Sequence, residues 1–310
     1  MTPEERPFRF GLMIDTRQTT RESLLELARR AEAAGISVLL GTDHLGRWGS
    51  LPLLQQAAAA TGLRIGTFVL NNDMRHPVVL AQELATIDLV TEGRLEIGLG
   101  AGWARSEYEA AGIQFDPPGL RLARMERSVA ILKQAMRDGR IEMPASPAYP
   151  AMRFDSVPRS VQRPHPPLLV GGGGPRLLRF AAREADIVAL NPRSRTVGGL
   201  DTSDVRAADV DRKIGWIREA AGERWARVEI NVILFGVDPD YRRRRGPPPP
   251  RSHEISEEEL PGSPHYLTGD PDEMAEQLLA RRERWGISYV AMRPKHLEPL
   301  GEVVRRLAGR

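Results

Sequence analysis

The chain has 310 residues, 41% of them hydrophobic, 27% charged and 5% aromatic, with 29 Gly, 25 Pro and no Cys. A chain of this length buries a core without help from a disulfide, a structural metal or a partner, and the lack of Cys excludes thiolate zinc sites, iron–sulfur clusters and cysteine nucleophiles. The net charge is +3 with 41 Arg among 44 basic residues, yet no basic stripe interleaved with aromatics appears, so nucleic acid is not an expected partner.

The opening MTPEERPFRF is charged and lacks the apolar core of a secretory leader, and no later stretch reaches the ~18 apolar residues of a membrane span. A cytoplasmic protein without membrane contact is expected. Phe8 to Ile14 (FRFGLMI) reads as a buried strand, and Thr19 with Glu22 reads as the capping box of a helix that turns Leu24, Leu27, Ala28 and Ala31 inward before Gly35. The same strand-then-helix unit returns with SVLLGT at 37–42, RIGTFVL at 64–70 and LEIGLG at 95–100, and Pro77 opens a helix carrying Leu80, Leu84 and Ile87. A long helix over about 120–138 spaces Leu122, Met125, Val129, Leu132 and Met136 for burial, and a Pro-rich insertion at 139–166 is expected to hold a hairpin. PLLVG (167–171), a helix from Pro175, DIVAL (186–190), a helix near 209–221 and VEINVILFGV (228–237) follow. Asp270 to Glu273 start a helix ending at Gly286, SYVAM (288–292) is a strand, and Leu297 to Leu307 mark a last helix.

Eight strands, each followed by helix, predict an α/β fold, a single (β/α)8 TIM barrel over 1–310 with insertions after strands 4 and 7, at 139–166 and 237–266. An open doubly wound sheet has fewer strands. Active-site groups in such a barrel project from the carboxyl ends of the strands, so the residues just after each strand are the ones to read.

Those positions hold Asp15 and Thr16, then Asp43, His44 and Trp48, then Asn71, then Trp103 with Ser106 and Glu107, then Gly171 to Gly174, then Asn191 and Arg193. Gly171, Gly172, Gly173 and Gly174 before a helix-opening Pro175 make a backbone cup for a phosphate, with a tight turn as the plainer reading. GLGAGW at 98–103 is no dinucleotide fingerprint, because Trp103 stands where the last Gly would be needed. His44 is a candidate proton donor or acceptor, with a structural histidine as the alternative. The other His residues lack ligand spacing, and no metal site is expected. The basic, Pro-rich run from Tyr241 to Arg251 reads as a solvated loop or as a lid with anion-binding arginines.

Taken together, ISVLLGTDH (36–44), the stretches 63–103 and 166–190, and TGDPDEMAEQLLARRERWGISYVAM (268–292) resemble the luciferase-like monooxygenase superfamily, in particular its coenzyme F420-dependent oxidoreductase branch. The resemblance implies a barrel, usually dimeric, that binds F420 or FMN at the carboxyl end of its strands. It places Asp43 and His44 beside the cofactor ring and Trp48 at the substrate. Phe68 and Val69 match the family's non-prolyl cis peptide, with Asn71 just beyond, and Gly171 to Gly174 match the loop that takes the cofactor phosphate. Asn191 is taken with them as a cofactor contact. Trp103 and Ser106 replace an acidic residue and an asparagine of the sugar-phosphate dehydrogenases, which argues for a more apolar or planar substrate, with cofactor packing as the other use of Trp103.

The expected function is F420-dependent hydride exchange with a small organic substrate, with His44, Trp48 and Trp103 at the reaction. The alternatives are a monooxygenase using reduced FMN and a cofactor-binding protein without catalysis. A homodimer is expected, and a separate reductase if the cofactor is supplied reduced.

Overall fold

The computed structural model describes residues 2–17, 19–195, 197–241 and 254–310. Short apolar runs form eight parallel strands: β1 (Arg9–Met13), β2 (Val38–Gly41), β3 (Arg64–Thr67), β4 (Leu95–Gly100), β5 (Leu168–Gly172), β6 (Ile187–Leu190), β7 (Glu229–Ile233) and β8 (Ile287–Met292). Each pairs with its neighbour, β8 returns to β1 with Phe10 opposite Val290, and β3 joins β4 with Ile65 opposite Leu95, so the sheet closes into a barrel. Alternation sends Val38, Leu40, Leu169, Ala189, Ile233, Tyr289 and Ala291 into the lumen. Phe10, Leu12, Leu39 and Ile97 face outward, into the shell of helices.

The helices follow the strands as expected for right-handed crossovers: α1 (Arg21–Ala33), α2 (Ser50–Ala60), α3 (Pro77–Val90), α4 (Arg105–Ala110), α5 (Pro118–Asp138), α6 (Pro175–Glu184), α7 (Ala207–Ala221), α8 (Pro271–Trp285) and α9 (Gly301–Leu307). The cap of α1 is one residue later than the Thr19–Glu22 reading. Thr20 accepts the Ser23 backbone N–H at 3.2 Å, and the Ser23 hydroxyl accepts the Thr20 N–H at 3.0 Å. Serine satisfies the same two orphan donors as glutamate would, with a shorter arm. Helix α8 has the Asp270–Glu273 box as read, and ends at Gly286 with φ +71°.

Two further expectations are corrected at strand level. The run 64–70 is not one strand: β3 stops at Thr67, the Phe68–Val69 peptide is cis, and pairing to β4 resumes over Leu70–Asn71. The run 228–237 also divides, with Gly236–Asp238 leaving the barrel to pair in parallel with Tyr266–Thr268. The insertion at 139–166 holds the expected hairpin, Ile141–Met143 against Met152–Phe154. Residues 242–253 lie outside the described residues, and with them most of the 241–251 run and its lid reading. Among the described residues no helix is long and apolar enough to cross a membrane.

The β3–β4 seam depends on one hydroxyl. Thr67 Oγ1 accepts the Gly98 backbone N–H at 2.7 Å and donates to the Gly98 carbonyl at 2.9 Å, replacing the ladder bonds lost where β3 breaks. A Cβ on Gly98 would lie 1.9 Å from the Thr67 carbonyl oxygen, so only glycine permits this approach. Replacing Thr67 by the isosteric Val leaves two buried backbone groups unpaired. Thr67→Val is expected to lower unfolding stability in urea by about 2–4 kcal/mol, while Thr67→Ser keeps most of it. A loss below ~0.5 kcal/mol for Thr67→Val would show that the seam does not rest on this hydroxyl.

Candidate active site

Immediately after β2 the chain leaves the barrel through Thr42, Asp43 and His44. The Asp43 carboxylate is committed to the scaffold. Its Oδ2 accepts the Asn71 backbone N–H at 3.0 Å, and Arg75 grips it with two bonds of 2.6 and 3.0 Å. Burial works against the charged Arg75, but the hydrogen bond and charge of Asp43 outweigh it and hold the guanidinium pKa above its ordinary value. Asp43 thus ties the end of β2 to the segment after β3, and His44 inherits its position from that tie.

His44 Nδ1 lies 2.6 Å from Glu107 Oε1 in the first turn of α4, and both side chains are about one-fifth exposed. A carboxylate there accepts from Nδ1–H, and the neutral imidazole in that tautomer presents the lone pair of Nε2. The second Glu107 oxygen accepts the Leu45 N–H at 3.4 Å. The Trp103 ring stands edge-on to the imidazole, with ring centres 5.8 Å apart. These groups, with Arg47, Ala104, Arg105, Ser106 and Val197 to Gly199, line a cavity of about 410 Å³. A histidine held by a carboxylate at the edge of such a cavity can accept a proton from a bound molecule and return it.

A second set of polar groups meets beside it. Asn71 Oδ1 accepts the Tyr108 hydroxyl at 3.0 Å and the Asp73 N–H at 3.2 Å, which fixes its amide and leaves Nδ2 without a partner among the described residues. Tyr108 is fully buried; burial and the nearby Asp73 charge push its phenol up to about 12, so it stays a donor. The Asp73 side chain is buried, which raises its pKa against the opposing charge of Arg124 at 3.0 Å. Gly102, at φ +75°, passes so close to Tyr108 that a Cβ there would overlap the hydroxyl.

The four glycines at the end of β5 do different things. A Cβ on Gly173 would meet the Asn191 carbonyl oxygen at 2.3 Å and Arg193 N at 2.6 Å, so this glycine lets β5 pass the end of β6. A Cβ on Gly172 would press on Leu177. Gly171 has ordinary contact only, 3.4 Å to Asn191 Nδ2 and to Val69 Cγ1, and Gly174 faces open space. Gly174 is the N-cap of the ten-residue α6, no side chain caps that helix, and Pro175 follows. The N–H groups of its first turn therefore have no intrahelical partner, a start suited to an anion. The open side of Gly174 leaves room for an anion at that helix start.

The structure thus gathers Val69, Gly171 and Asn191 at one point, and Asp43 and Asn71 at another. It joins His44 to Trp103. Trp48 is 62% exposed, does not line the cavity, and makes its backbone contact with the Thr16 carbonyl at 2.9 Å. Sequence reasoning missed Glu107 as the partner of His44, Arg75 as the partner of Asp43, and Arg47. Glu107 carried a signal, being an acidic residue in a first helical turn after a barrel strand; nothing in the sequence pairs it with a histidine 63 positions earlier.

The luciferase-like monooxygenase family matches residues 6–221. An F420-dependent glucose-6-phosphate dehydrogenase of Kribbella flavida is 31% identical over 191 residues, 57% of this chain and 55% of that protein. Its counterpart in Kineococcus radiotolerans is 29% identical over 190 residues, 58% of this chain and 55% of that protein. The match thus spans about half the length of these curated relatives. Among solved structures, the coenzyme F420-dependent tetrahydromethanopterin reductase of Methanopyrus kandleri has a TM-score of 0.76 at 18% identity, covering 97% of this chain and 99% of its own. An F420-dependent secondary alcohol dehydrogenase in complex with an F420-acetone adduct has a TM-score of 0.73 at 17% identity, again covering 97% and 99%. The fold agrees throughout, and with more than half of its residues matched the chain belongs to the luciferase-like monooxygenase family.

Proposed function

We propose that the chain is an F420-dependent oxidoreductase acting on a small organic substrate. The observation that carries this reading is the arrangement at the carboxyl ends of the strands: an open, uncapped helix start at Gly174 and a carboxylate-held histidine beside a cavity. The F420 dependence named for its relatives supports the choice of cofactor. F420, when bound, supplies a ring carbon that exchanges a hydride with the substrate.

The chain's own residues bind, orient and move a proton. Gly174 and the first turn of α6 hold the phosphate. Asn71 Nδ2 and Asn191 are donors toward the ring system, and Val69 supports it between Gly98, Gly100 and Gly171. His44 Nε2 takes the proton of the substrate hydroxyl or returns it, and Glu107 keeps the imidazole in the tautomer that makes this possible. Trp103 bounds the substrate. The reading includes a homodimer, supported by Val79, Leu89 and Val90 of α3, which are 54%, 62% and 61% exposed. It also includes a separate enzyme that renews the reduced cofactor.

Titration of the purified chain with F420 and with FMN, followed by visible absorbance, tests the reading. F420 is expected to bind and to be bleached or restored by a substrate without oxygen uptake. Binding of FMN alone, with substrate-coupled oxygen uptake, would replace it with the monooxygenase reading.

Gly174→Asp is the variant that reads the phosphate site. Aspartate is a good N-cap, so the fold is expected to keep or gain a few tenths of a kcal/mol, while cofactor affinity drops at least about tenfold through the added negative charge. Gly173 does not serve, because any side chain there collides with the end of β6. Unchanged affinity in Gly174→Asp would move the phosphate elsewhere.

His44→Ala is expected to lower kcat about 100-fold with cofactor affinity within about twofold. Glu107→Gln is expected to lower kcat at least roughly tenfold, because the amide can turn its NH2 to Nδ1 and impose the wrong tautomer. Glu107→Asp should recover part of the loss. If Glu107→Gln changes KM and leaves kcat intact, the pair serves binding and not proton transfer.

A further inference from the structure

We propose that Arg47 is the anion anchor of the substrate cavity, so that the substrate is an organic acid whose apolar or planar body lies against Trp103. This rests on the reading of the cavity as the substrate site and adds the chemical class of the substrate. Arg47 lies three residues after His44, beyond Gly46, whose φ of +75° turns the loop. It is half-buried and lines the 410 Å³ cavity together with His44, Trp103, Ser106 and Glu107.

Its charge has no answer among the described residues. Other arginines around this end of the barrel are engaged: Arg75 by Asp43, Arg121 by the Ala101 and Gly102 carbonyls, Arg124 by Asp73 and Asp116, and Arg193 by Asp201 and Asp204. Arg105 donates to the Val197 carbonyl at 3.0 Å and lies 3.8 Å from Glu109. Arg47 has no hydrogen bond and no ion pair among the described residues. Glu107, the one carboxylate lining the cavity among the described residues, spends both oxygens on His44 and on Leu45 N–H.

A guanidinium partly removed from water and left unpaired is costly, and a planar oxyanion meeting it with two parallel bonds repays that cost. The lining also includes two large apolar side chains, Trp103 and Val197. Trp103 is 39% exposed and Val197, at the tip of the loop after β6, is 73% exposed. That loop is held over the cavity by Gly199 N–H donating to the Trp103 carbonyl at 3.3 Å and by Gly198 packed on Arg105. An acid group on Arg47 with a ring or hydrocarbon against Trp103 and Val197 leaves the substrate's reacting carbon near His44. The charge disfavours amines and holds a neutral alcohol more weakly than an acid.

Benzoate and its uncharged analogue benzamide are the probes, titrated into the full chain with and without F420 while tryptophan fluorescence is followed. Wild type is expected to bind benzoate at least about tenfold more tightly than benzamide, and Arg47→Gln to remove that preference by weakening benzoate alone. Arg47→Lys should restore part of it as a point charge. Absent benzoate binding, equal binding of the two probes by wild type, or a preference that survives Arg47→Gln, overturns the proposal. So does a loss of F420 affinity in Arg47→Gln without effect on benzoate, which assigns Arg47 to the acidic tail of the cofactor. Failure of the F420 reading shows separately: a chain that ignores F420 yet keeps the Arg47-dependent preference for benzoate retains the anion site and loses the cofactor.

Discussion

The amino-terminal end of the barrel is closed by charge, and the direction of everything else follows from that. Glu96, 2% exposed and inside the barrel, accepts Arg9 at 2.6 Å and Arg64 at 2.9 Å, and the Tyr289 hydroxyl lies 3.4 Å from its other oxygen. Arg9 also takes Glu229 with two bonds of 3.0 and 2.7 Å. Burial opposes the charge on Arg9, but Glu96 and Glu229 outweigh it and raise its pKa. A buried ion network of this kind is not a large net source of stability, because desolvation cancels most of the attraction. What it supplies here is register: side chains of β1, β3, β4, β7 and β8 meet across the lumen, and a one-residue slip of any strand would turn its member out of the network. With that end filled, the carboxyl ends of the strands are left as the open end of the barrel.

At that open end the chain uses a different economy of polar groups. Asp43, Asp73, Arg75, Arg121 and Arg124 are consumed in fixing loops, while His44, Asn71 and Arg47 are each left with an atom to offer. The segment after β4 shows how much support this takes. Arg121, 2% exposed, donates to the carbonyls of Ala101 and Gly102 and lies over the Phe115 ring at 4.1 Å, which in turn contacts Tyr108 edge-on. Helix α5 thereby holds the turn that aims Trp103 and starts α4, so the long excursion after β4 is part of the site's frame.

The barrel was legible because its signal is repetitive and local. Period-2 and period-3.6 patterns of buried residues alternate along the chain, and eight repeats leave little choice of architecture. Where to look for a candidate site was legible for the same reason, since it follows from strand direction alone. Pairings were not. His44 and Glu107 stand 63 residues apart, and Asp43 and Arg75 stand 32 apart; only the barrel's closure brings these pairs together. The strand break at Phe68–Val69 left no mark in the periodicity of 64–70; only the family resemblance pointed to the cis peptide found there. The glycine run was visible as a feature but not as a division of labour, which depends on how closely β6 passes.

Trp48 and Arg47 show most sharply what one dimension hides. Both lie in the loop after β2, and by residue type the indole is the better substrate contact. The turn at Gly46 decides otherwise, leaving Trp48 62% exposed and Arg47 at the cavity wall. A loop residue's direction is set by backbone dihedrals that composition does not encode, so adjacent positions can have opposite fates. The consequence for specificity is physical: an indole would have offered area to any flat molecule, whereas an unpaired guanidinium discriminates by charge. On the proposed reading, the same loop carries the proton-moving group at His44 and the charge filter three residues on, and a single backbone turn sets the distance between reaction and recognition.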